Sequence, residues 1–232
     1  MEYLPNGYTF ETAPGTFPLS TDSMVLAYFA NLPRNAQVLD LGSGCGTLGL
    51  LLCAVNDYCS VTGVELEEAA HMAAQENIQR NSLSHRMKTI CADLRNIPEL
   101  FPSGSFSCVV SNPPYFSGGA DSVTLPNARQ EHTCSLADLL HSAGWALKYG
   151  GDFFLVHRPE RLGEIIALAA KNNMEAKRLC LLRHKEGGPV SLILLQLRKG
   201  AKPGLKWEEI ALHDQSGIPT ETYRKIYHIK EA

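Results

Sequence analysis

The stretch that decides the fold is VLDLGSGCGTLG, which occupies residues 38–49 of the 232-residue chain. A short apolar segment leads into Gly42, Gly44 and Gly46, and a second apolar run follows directly, which is the order strand, turn, helix. Glycines at such a turn let a ligand approach the main chain, and the start of the helix offers unpaired amides and a positive dipole end. The stretch therefore predicts a site for a nucleotide-like ligand.

The acidic residue ahead of the glycines narrows the choice of ligand. The spacing of Gly44, Gly46 and Gly49 also satisfies the dinucleotide fingerprint, so the glycines alone leave a nicotinamide dinucleotide and S-adenosylmethionine both open. A carboxylate at Asp40 would repel a pyrophosphate, whereas it would attract a cation. S-adenosylmethionine carries a sulfonium and an ammonium group, so Asp40 favours this cofactor.

Strand-like and helix-like segments alternate along the chain, which is typical of crossover units around a parallel sheet. Strands are expected at residues 36–41, 60–66, 86–92, 106–111, 152–157, 176–183 and 190–198, and helices at 48–56, 67–81, 135–148 and 159–172. The last two strands flank GGP at 187–189, which predicts a hairpin. We therefore expect an α/β, Rossmann-like fold of the class I S-adenosylmethionine-dependent methyltransferase type, with a seven-stranded, mostly parallel sheet and a closing hairpin.

No linker divides this pattern, so one domain with two extensions is expected. Residues 1–35 form an N-terminal extension that covers the substrate or cofactor, with a helix at 24–29 whose N-cap is Thr21 or Asp22. Residues 36–199 form the methyltransferase domain. Residues 200–232 form a C-terminal extension that packs on the same domain and ends in an amphipathic helix at 219–228.

Composition excludes several other classes of protein. The chain is 44% hydrophobic and 19% charged, which excludes a disordered or fibrous protein. No apolar run approaches the roughly 20 residues of a membrane-spanning helix, and no secretory signal is visible, so we expect a cytoplasmic protein without a membrane partner. The cysteines are odd in number and lack C-x-x-C spacing, and the histidines lack ligand spacing, so we expect reduced thiols and no metal. A monomer is assumed.

Two acidic residues end the next strands and are candidate cofactor ligands. Glu65 is placed to accept hydrogen bonds from both ribose hydroxyls, in either cofactor class. Asp93 is placed to meet an adenine amino group beside the apolar edge of Leu94, although either acid could instead cap a helix. The predicted cofactor-binding residues are Asp40, Gly42, Gly44, Gly46, Glu65, Leu66, Asp93, Leu94 and Asn112.

The segment SNPPY at residues 111–115 follows the fourth predicted strand, at the edge where open sheets bind ligands. Together with residues 40–46, it resembles the amino methyltransferases that modify adenine N6 or glutamine N5. An adenine amine is a poor nucleophile because its lone pair is delocalised into the ring. The side-chain oxygen of Asn112 and the carbonyl of Pro113 can each accept one N–H bond and direct that lone pair at the methyl carbon.

The remaining residues of this turn have supporting roles. Pro114 helps to fix the main chain that aims the two acceptors, and Tyr115 is expected to stack on the target ring. Asn112, Pro113, Pro114 and Tyr115 are therefore the predicted catalytic residues. The long segment at residues 116–134 is expected to form a lid with Arg129 as a phosphate or base contact; an exposed mobile loop is the alternative.

Over nearly its whole length the chain resembles the bacterial tRNA1(Val) (adenine(37)-N6)-methyltransferases. The shared segments are DLGSGCG at 40–46, VELE at 64–67, QEN at 75–77, SNPPY at 111–115 and ARQEH at 128–132. The last segment departs from the family's Ala-Arg-His-Glu order, so no role is carried over to His132. The resemblance implies S-adenosylmethionine as cofactor and an adenine of tRNA, at position 37 of valine tRNA, as substrate.

The central motifs separate adenine from glutamine poorly, so a protein glutamine N5-methyltransferase remains the second hypothesis. A nicotinamide-dependent oxidoreductase, or a cofactor-binding module without catalysis, is the third. Release-factor methyltransferases carry a helical N-terminal domain, and DNA adenine methyltransferases normally need extra protein for target recognition. This short chain has neither, which favours a structured RNA whose loop base is already unpaired.

The distribution of charge agrees with an RNA substrate. Residues 1–154 carry 7 basic and 15 acidic side chains, whereas residues 155–232 carry 14 basic and 9 acidic ones. The C-terminal third is therefore positive and can face phosphates. Arg198, Lys199, Lys202 and Lys206 are the expected phosphate contacts.

Overall fold

The computed structural model describes residues 2–4, 7–13, 19–113 and 134–229. Pro114, Tyr115, Arg129 and His132 lie outside these ranges, as does nearly all of the expected lid. The predictions made for them stay predictions. Within the described ranges, none of the helices combines the length and the apolar character that a membrane crossing requires.

The core of the protein is an eight-stranded sheet with the order β10-β8-β9-β7-β6-β3-β4-β5. All neighbouring strands run parallel except β9, which is antiparallel to both β7 and β8. A separate two-stranded sheet pairs β1 (Glu2–Tyr3) with β2 (Thr9–Phe10). The strands of the main sheet are β3 (Gln37–Leu41), β4 (Ser60–Glu65), β5 (Met87–Cys91), β6 (Phe106–Ser111), β7 (Leu147–His157), β8 (Met174–Lys185), β9 (Val190–Lys199) and β10 (Lys206–His213).

The main sheet has one strand more than the seven expected, because β10 was interpreted as part of a C-terminal extension. This strand pairs in parallel with β8 from Lys206 to His213 and forms an edge of the sheet. Its sequence, KWEEIALH, is mostly charged or exposed in its first half, and only Ile210 and Leu212 are buried. Edge strands tolerate such residues because one side faces water, so the period-2 signal is weak.

Helices cover both faces of the sheet. On one face lie α1 (Thr21–Phe29), α2 (Thr47–Val55) and α3 (Glu68–Arg80), and on the other α4 (Ile97–Leu100), α5 (Leu136–Ala146) and α6 (Leu162–Lys171). Alternate residues of the central strands enter the two separate cores, as Val38 and Leu39 do. Burial on both faces explains why these strands are continuously apolar. No cysteine is paired, and Cys91 is exposed whereas five of the others are buried.

The N-terminal helix begins earlier than expected and has a different cap. Ser20, and not Thr21 or Asp22, is the N-cap of α1, and its side chain accepts a hydrogen bond from the amide of Ser23. The Thr21 hydroxyl instead lies 3.0 Å from the hydroxyl of Tyr227, just beyond α7 (Glu221–Ile226). The two ends of the chain therefore meet through α1 and α7.

Asn77 joins the N-terminal segment to the glycine turn. Its side chain is buried on α3, where Nδ2 donates to the carbonyl of Glu11 at 2.8 Å and to that of Cys45 at 3.0 Å. Oδ1 accepts from the amide of Glu11 at 3.0 Å. The segment QEN at 75–77 thus contributes a structural clamp that holds the turn after β3.

Replacement of this clamp should weaken the whole fold. Asn77→Ala leaves main-chain groups of Glu11 and Cys45 without partners, which should lower the free energy of unfolding by about 2–3 kcal/mol. Urea denaturation followed by circular dichroism measures the change. Gln75→Ala, on the exposed side of the same helix, should stay within about 0.5 kcal/mol of the parent protein. Equal stability of the two variants would contradict the clamp.

Candidate active site

The candidate site lies where the carboxyl ends of β3, β4, β5 and β6 meet. Strands β3 and β6 are neighbours in the sheet. The helix that follows β3 is α2, and the next described helix after β6 is α5; these two helices cover opposite faces of the sheet. Ligands bind in the crevice outside such a switch in strand order. The buried hydroxyl of Ser111 donates to the carbonyl of Leu41 at 2.7 Å and ties the two strand ends together. Gly42 and Asn112 follow directly after these ends.

The predicted order of strand, glycine turn and helix is confirmed by β3 and α2. Gly42, Gly44 and Gly46 have φ values of +71°, +54° and +84°, a region that side chains disfavour. Gly46 is the N-cap of α2, so the turn delivers a helix start to the edge of the sheet. The amides of Gly42 and Ser43 both donate to the carbonyl of Val64, which holds the turn against β4.

Glu65 is fixed by main-chain amides on both of its oxygens. Oε2 accepts from the amide of Gly44 at 2.8 Å, and Oε1 accepts from the amide of Glu67 at 2.8 Å. Each carboxylate oxygen can accept a second hydrogen bond. The side chain is therefore oriented in advance, as the prediction of a ribose ligand at this position requires.

Two cavities open at this edge and share Gly42. The polar cavity has a volume of about 90 Å³ and the apolar cavity about 130 Å³. The polar cavity is lined by Ser20, Ser23, Asp40, Gly42, Ser43, Gly44, Cys45, Thr47, Leu48 and Asn112. The apolar cavity is lined by Leu41, Gly42, Val64, Glu65, Leu66, Glu67, Ala92, Asp93, Leu94, Ser111, Pro113, Cys134 and Leu139.

The polar cavity contains a buried carboxylate with an unsatisfied oxygen. Asp40 is 1% exposed, and burial together with the negative charge of Glu65 raises its pKa to about 7, against the effect of the Gly49 amide. Within the described part of the chain, Asp40 Oδ2 and Ser43 Oγ have no hydrogen-bond partner. An unpaired buried carboxylate is costly unless a cation or donor completes it. This chemistry fits a ligand that presents positive charge.

Asp93 lines the apolar cavity, but its main contacts are local. It is the N-cap of a short 3-10 turn, and its side chain accepts from the amide of Arg95 at 2.8 Å. It also forms an ion pair with the Arg95 guanidinium, which lowers the pKa of Asp93. The capping alternative is therefore what the structure shows. A carboxylate kept charged in this way still has acceptor capacity toward an amino group in the cavity.

Asn112 lines the polar cavity, and Pro113, the next residue, lines the apolar cavity. The Nδ2 of Asn112 donates to the hydroxyl of Ser23 at 3.0 Å, so the amide oxygen is the atom left for another partner. Pro113 is buried and lines the apolar cavity. Sequence reasoning missed Ser20 and Ser23 because residues 21–23 were interpreted only as a helix start. The sequence signal that could have indicated them is the helix N-cap, because the start of α1 places the hydroxyls of Ser20 and Ser23 at the polar cavity.

The structure does not bring Arg198, Lys199 and Lys202 to this site. Arg198 pairs in register with Asp152 near the amino ends of the parallel strands, and the two side chains form an ion pair at 2.8 Å. Lys199 donates to the carbonyl of Leu147 at 2.7 Å. These residues lie at the opposite edge of the sheet from Asn112, so their expected role as phosphate contacts stays a prediction for a surface separate from the two cavities.

A larger groove of about 750 Å³ lies away from the candidate site. It runs between α1, α2, α7 and the sheet, and its walls include the ion pairs Arg178–Glu208 and Arg198–Asp152. The opposite charges in each pair neutralise one another, so these groups do not require a ligand. We therefore assign the chemistry to the two smaller cavities, of which the polar one contains the unsatisfied atoms of Asp40 and Ser43.

Comparison with known proteins agrees with this geometry. The family model described as methyltransferase small domain matches residues 7–170. A tRNA1(Val) (adenine(37)-N6)-methyltransferase of Photobacterium profundum is 31% identical over 202 residues, which cover 84% of each chain. A protein of the same name from Tolumonas auensis is 32% identical over 82% of this chain and 79% of its own.

Solved structures show the same fold. A predicted O-methyltransferase of Agrobacterium tumefaciens has a TM-score of 0.75 at 22% identity and covers 90% of this chain and 96% of its own. The 16S rRNA N2 G1207 methyltransferase of Thermus thermophilus, solved with AdoMet and guanosine, has a TM-score of 0.60 at 25% identity, over 86% of this chain and 49% of its own. The chain belongs to the methyltransferase small domain family and, within it, to the tRNA1(Val) (adenine(37)-N6)-methyltransferases.

Proposed function

We propose that this protein transfers the methyl group of S-adenosylmethionine to the N6 amine of an adenine in tRNA. The observation that carries the proposal is the position of Asn112 and Pro113 between a cavity suited to a cation and an apolar cavity. The relatives' names specify adenine 37 of tRNA1(Val), and we propose the same base here.

The residues present fit the cofactor, which when bound supplies an electrophilic methyl group on a sulfonium. The unsatisfied carboxylate of Asp40 and the hydroxyl of Ser43 would face its charged, polar part. Glu65, already oriented by two amides, would accept hydrogen bonds from its ribose hydroxyls. Leu66, Asp93 and Leu94 would surround its adenine in the apolar cavity.

The same turn activates the substrate amine by placement. The amide oxygen of Asn112 and the carbonyl of Pro113 would each accept one N–H of the adenine N6 group, which directs its lone pair away from the ring plane. Ser23 fixes which end of the Asn112 amide is available, since its hydroxyl holds Nδ2. As the N–CH3 bond forms, the S–CH3 bond would break and leave a neutral sulfide, so the positive charge passes to the amine, whose extra proton is then lost to solvent. No strong base is needed.

Three further residues complete the proposal, although they lie outside the described residues. Pro114 would stiffen the turn, and Tyr115 would stack on the target ring, a contact worth roughly 1–3 kcal/mol. Arg129 would contact a phosphate or base from the segment that follows.

One experiment separates the competing substrates. The protein is incubated with labelled S-adenosylmethionine and either bulk tRNA or release factors, and nucleosides and peptides are then examined by mass spectrometry. We expect N6-methyladenosine in tRNA and no methylglutamine. Methylglutamine in a release factor would favour the glutamine N5 hypothesis, and no transfer to either would favour the third.

Loss of the central acceptor should remove catalysis and leave cofactor binding. Asn112→Ala should lower the methylation rate by at least two to three orders of magnitude, the cost of removing one preorganised polar group. S-adenosylmethionine binding, measured by calorimetry, should persist. Asn31→Ala, at an exposed position beyond α1, is the matched control and should keep the parent rate. Near-normal turnover of Asn112→Ala would overturn the mechanism.

Loss of the Ser23 hydroxyl should affect the chemical step more than binding. Ser23→Ala should lower kcat about tenfold or more, with KM for tRNA changed less than threefold, because Asn112 loses its orientation and not its presence. Ser23→Thr should recover much of the rate. Tyr28→Phe, at an exposed position of the same helix, serves as the control. A purely structural role would instead reduce stability and leave kcat unchanged.

Cofactor affinity should depend on pH through Asp40. Because its pKa is about 7, Asp40 becomes neutral as the pH falls below 7 and then attracts a cation less. Calorimetric titrations should show S-adenosylmethionine affinity falling several-fold from pH 8 to pH 6. Asp40→Asn should bind weakly and show only the ligand's own titration. Asp57→Asn, an exposed control, should follow the parent protein, and an identical pH profile for Asp40→Asn would exclude this role.

A further inference from the structure

Five lysines gather at the amino edge of the sheet, opposite the candidate site. They come from three parts of the chain: the start of β7, the end of α6, and the turn from β9 into β10. Lys199 is partly exposed and the others are exposed. We call this group the lysine patch; it consists of Lys148, Lys171, Lys199, Lys202 and Lys206.

The main chain beneath the lysine patch is tied together by hydrogen bonds. The amide of Gly200 donates to the carbonyl of Asn173 at 2.8 Å, which joins the two turns beside β8. Lys199 Nζ donates to the carbonyl of Leu147 at 2.7 Å, next to Lys148. Lys177 Nζ donates to the carbonyl of Lys202 at 3.0 Å. The charges are therefore carried on a fixed frame and not on independent loops.

Little negative charge on the neighbouring strands is left to balance the lysine patch. Asp152 pairs with Arg198, and Glu208 pairs with Arg178, so both acids are already neutralised. Of the acidic residues on the strands at this end, only Glu175, opposite Arg198 in register, has no ion pair among the described residues. The resulting field is positive and attracts a polyanion.

Two large aromatic side chains next to these lysines in the sequence are exposed. Tyr149 is 74% exposed and Trp207 is 68% exposed. The ammonium group of Lys199 lies 5.6 Å from the centre of the Tyr149 ring. Exposed aromatics interleaved with lysines match the sugar, base and phosphate surface of a nucleic acid better than a simple anion.

The distance between the lysine patch and Asn112 sets the length that a ligand in contact with both must have. Phe106 at the start of β6 pairs with Leu147, beside Lys148, and Asn112 follows the other end of this six-residue strand. At about 3.3 Å per residue, the two points are roughly 20 Å apart. A base-paired RNA stem is A-form and rises less per base pair than the roughly 3.4 Å of B-form DNA, so roughly six to seven base pairs cover this distance.

We propose that the lysine patch binds phosphates of the base-paired stem that carries the target loop, while the loop adenine occupies the site at Asn112. This inference rests on the proposed function, because it requires the target base at Asn112. The stem would lie along the strand direction from one edge of the sheet to the other. The lysine patch thus measures stem length as well as supplying affinity.

RNA hairpins with one adenine-containing loop and stems of four, seven and ten base pairs test this proposal. Their binding is measured by fluorescence anisotropy across a series of salt concentrations. The test variant combines Lys148→Gln, Lys202→Gln and Lys206→Gln, and retains Lys199 because its ammonium supports Leu147. The control variant is Lys88→Gln, which removes another exposed lysine, from β5 at the far side of the sheet.

The parent protein should bind the two longer hairpins more tightly than the shortest. The triple variant should bind the longer hairpins at least tenfold more weakly. The plot of log K against log salt concentration should become less steep, by about two to three in slope, because up to three phosphate contacts are lost. It should bind the four-base-pair hairpin as the parent does, and Lys88→Gln should change nothing.

Parent-like binding of the long hairpins by the triple variant, or an equal loss for all stem lengths, would overturn the proposal. The methylation assay distinguishes this outcome from failure of the proposed function. Absence of N6-methyladenosine in tRNA would defeat the function whatever the hairpins show. Normal methylation with unchanged hairpin binding would defeat only the role of the lysine patch.

Discussion

The candidate site depends on the hydrogen bond between the Ser111 hydroxyl and the carbonyl of Leu41. This bond joins the last residues of β3 and β6, where the crossover helices separate to opposite faces. Because both strands run in the same direction, everything that follows them emerges at the same edge. The glycine turn and the Asn-Pro turn, 70 residues apart in sequence, are therefore adjacent.

The site combines a rigid frame with unsatisfied polar atoms. Main-chain amides orient Glu65, and the Asn77 side chain supports the turn beside it. Asp40 instead remains buried with an oxygen that the described protein groups do not complete. A protein that keeps such a charge in its interior gives up stability in the free state. The ligand then supplies the missing interaction, which couples binding of the cofactor to the electrostatics of the site.

The sequence predicted most of the fold because the central strands are buried on both faces and their ends carry glycine, proline or acidic residues. It predicted the grouping of Asp40, Glu65 and Asn112 for the same reason. It missed β10, whose charged edge lacks a clear apolar period, and Ser23, whose role depends on a contact with a residue 89 positions away. It could not predict that Arg198 and Lys199 lie at the opposite edge of the sheet from Asn112, since net charge along a chain does not record which edge of a sheet a residue occupies.

The contact between Thr21 and Tyr227 links the last helix of the chain to the helix that carries Ser23. Tyr227 stacks on Tyr223 with ring centres 4.4 Å apart, so α7 presents a rigid aromatic pair to α1. Two side chains separated by 206 positions thereby brace the support of the Asn112 amide. A chain shortened ahead of α7 would keep every strand of the sheet, yet its reactive turn would rest on a helix anchored at one fewer point.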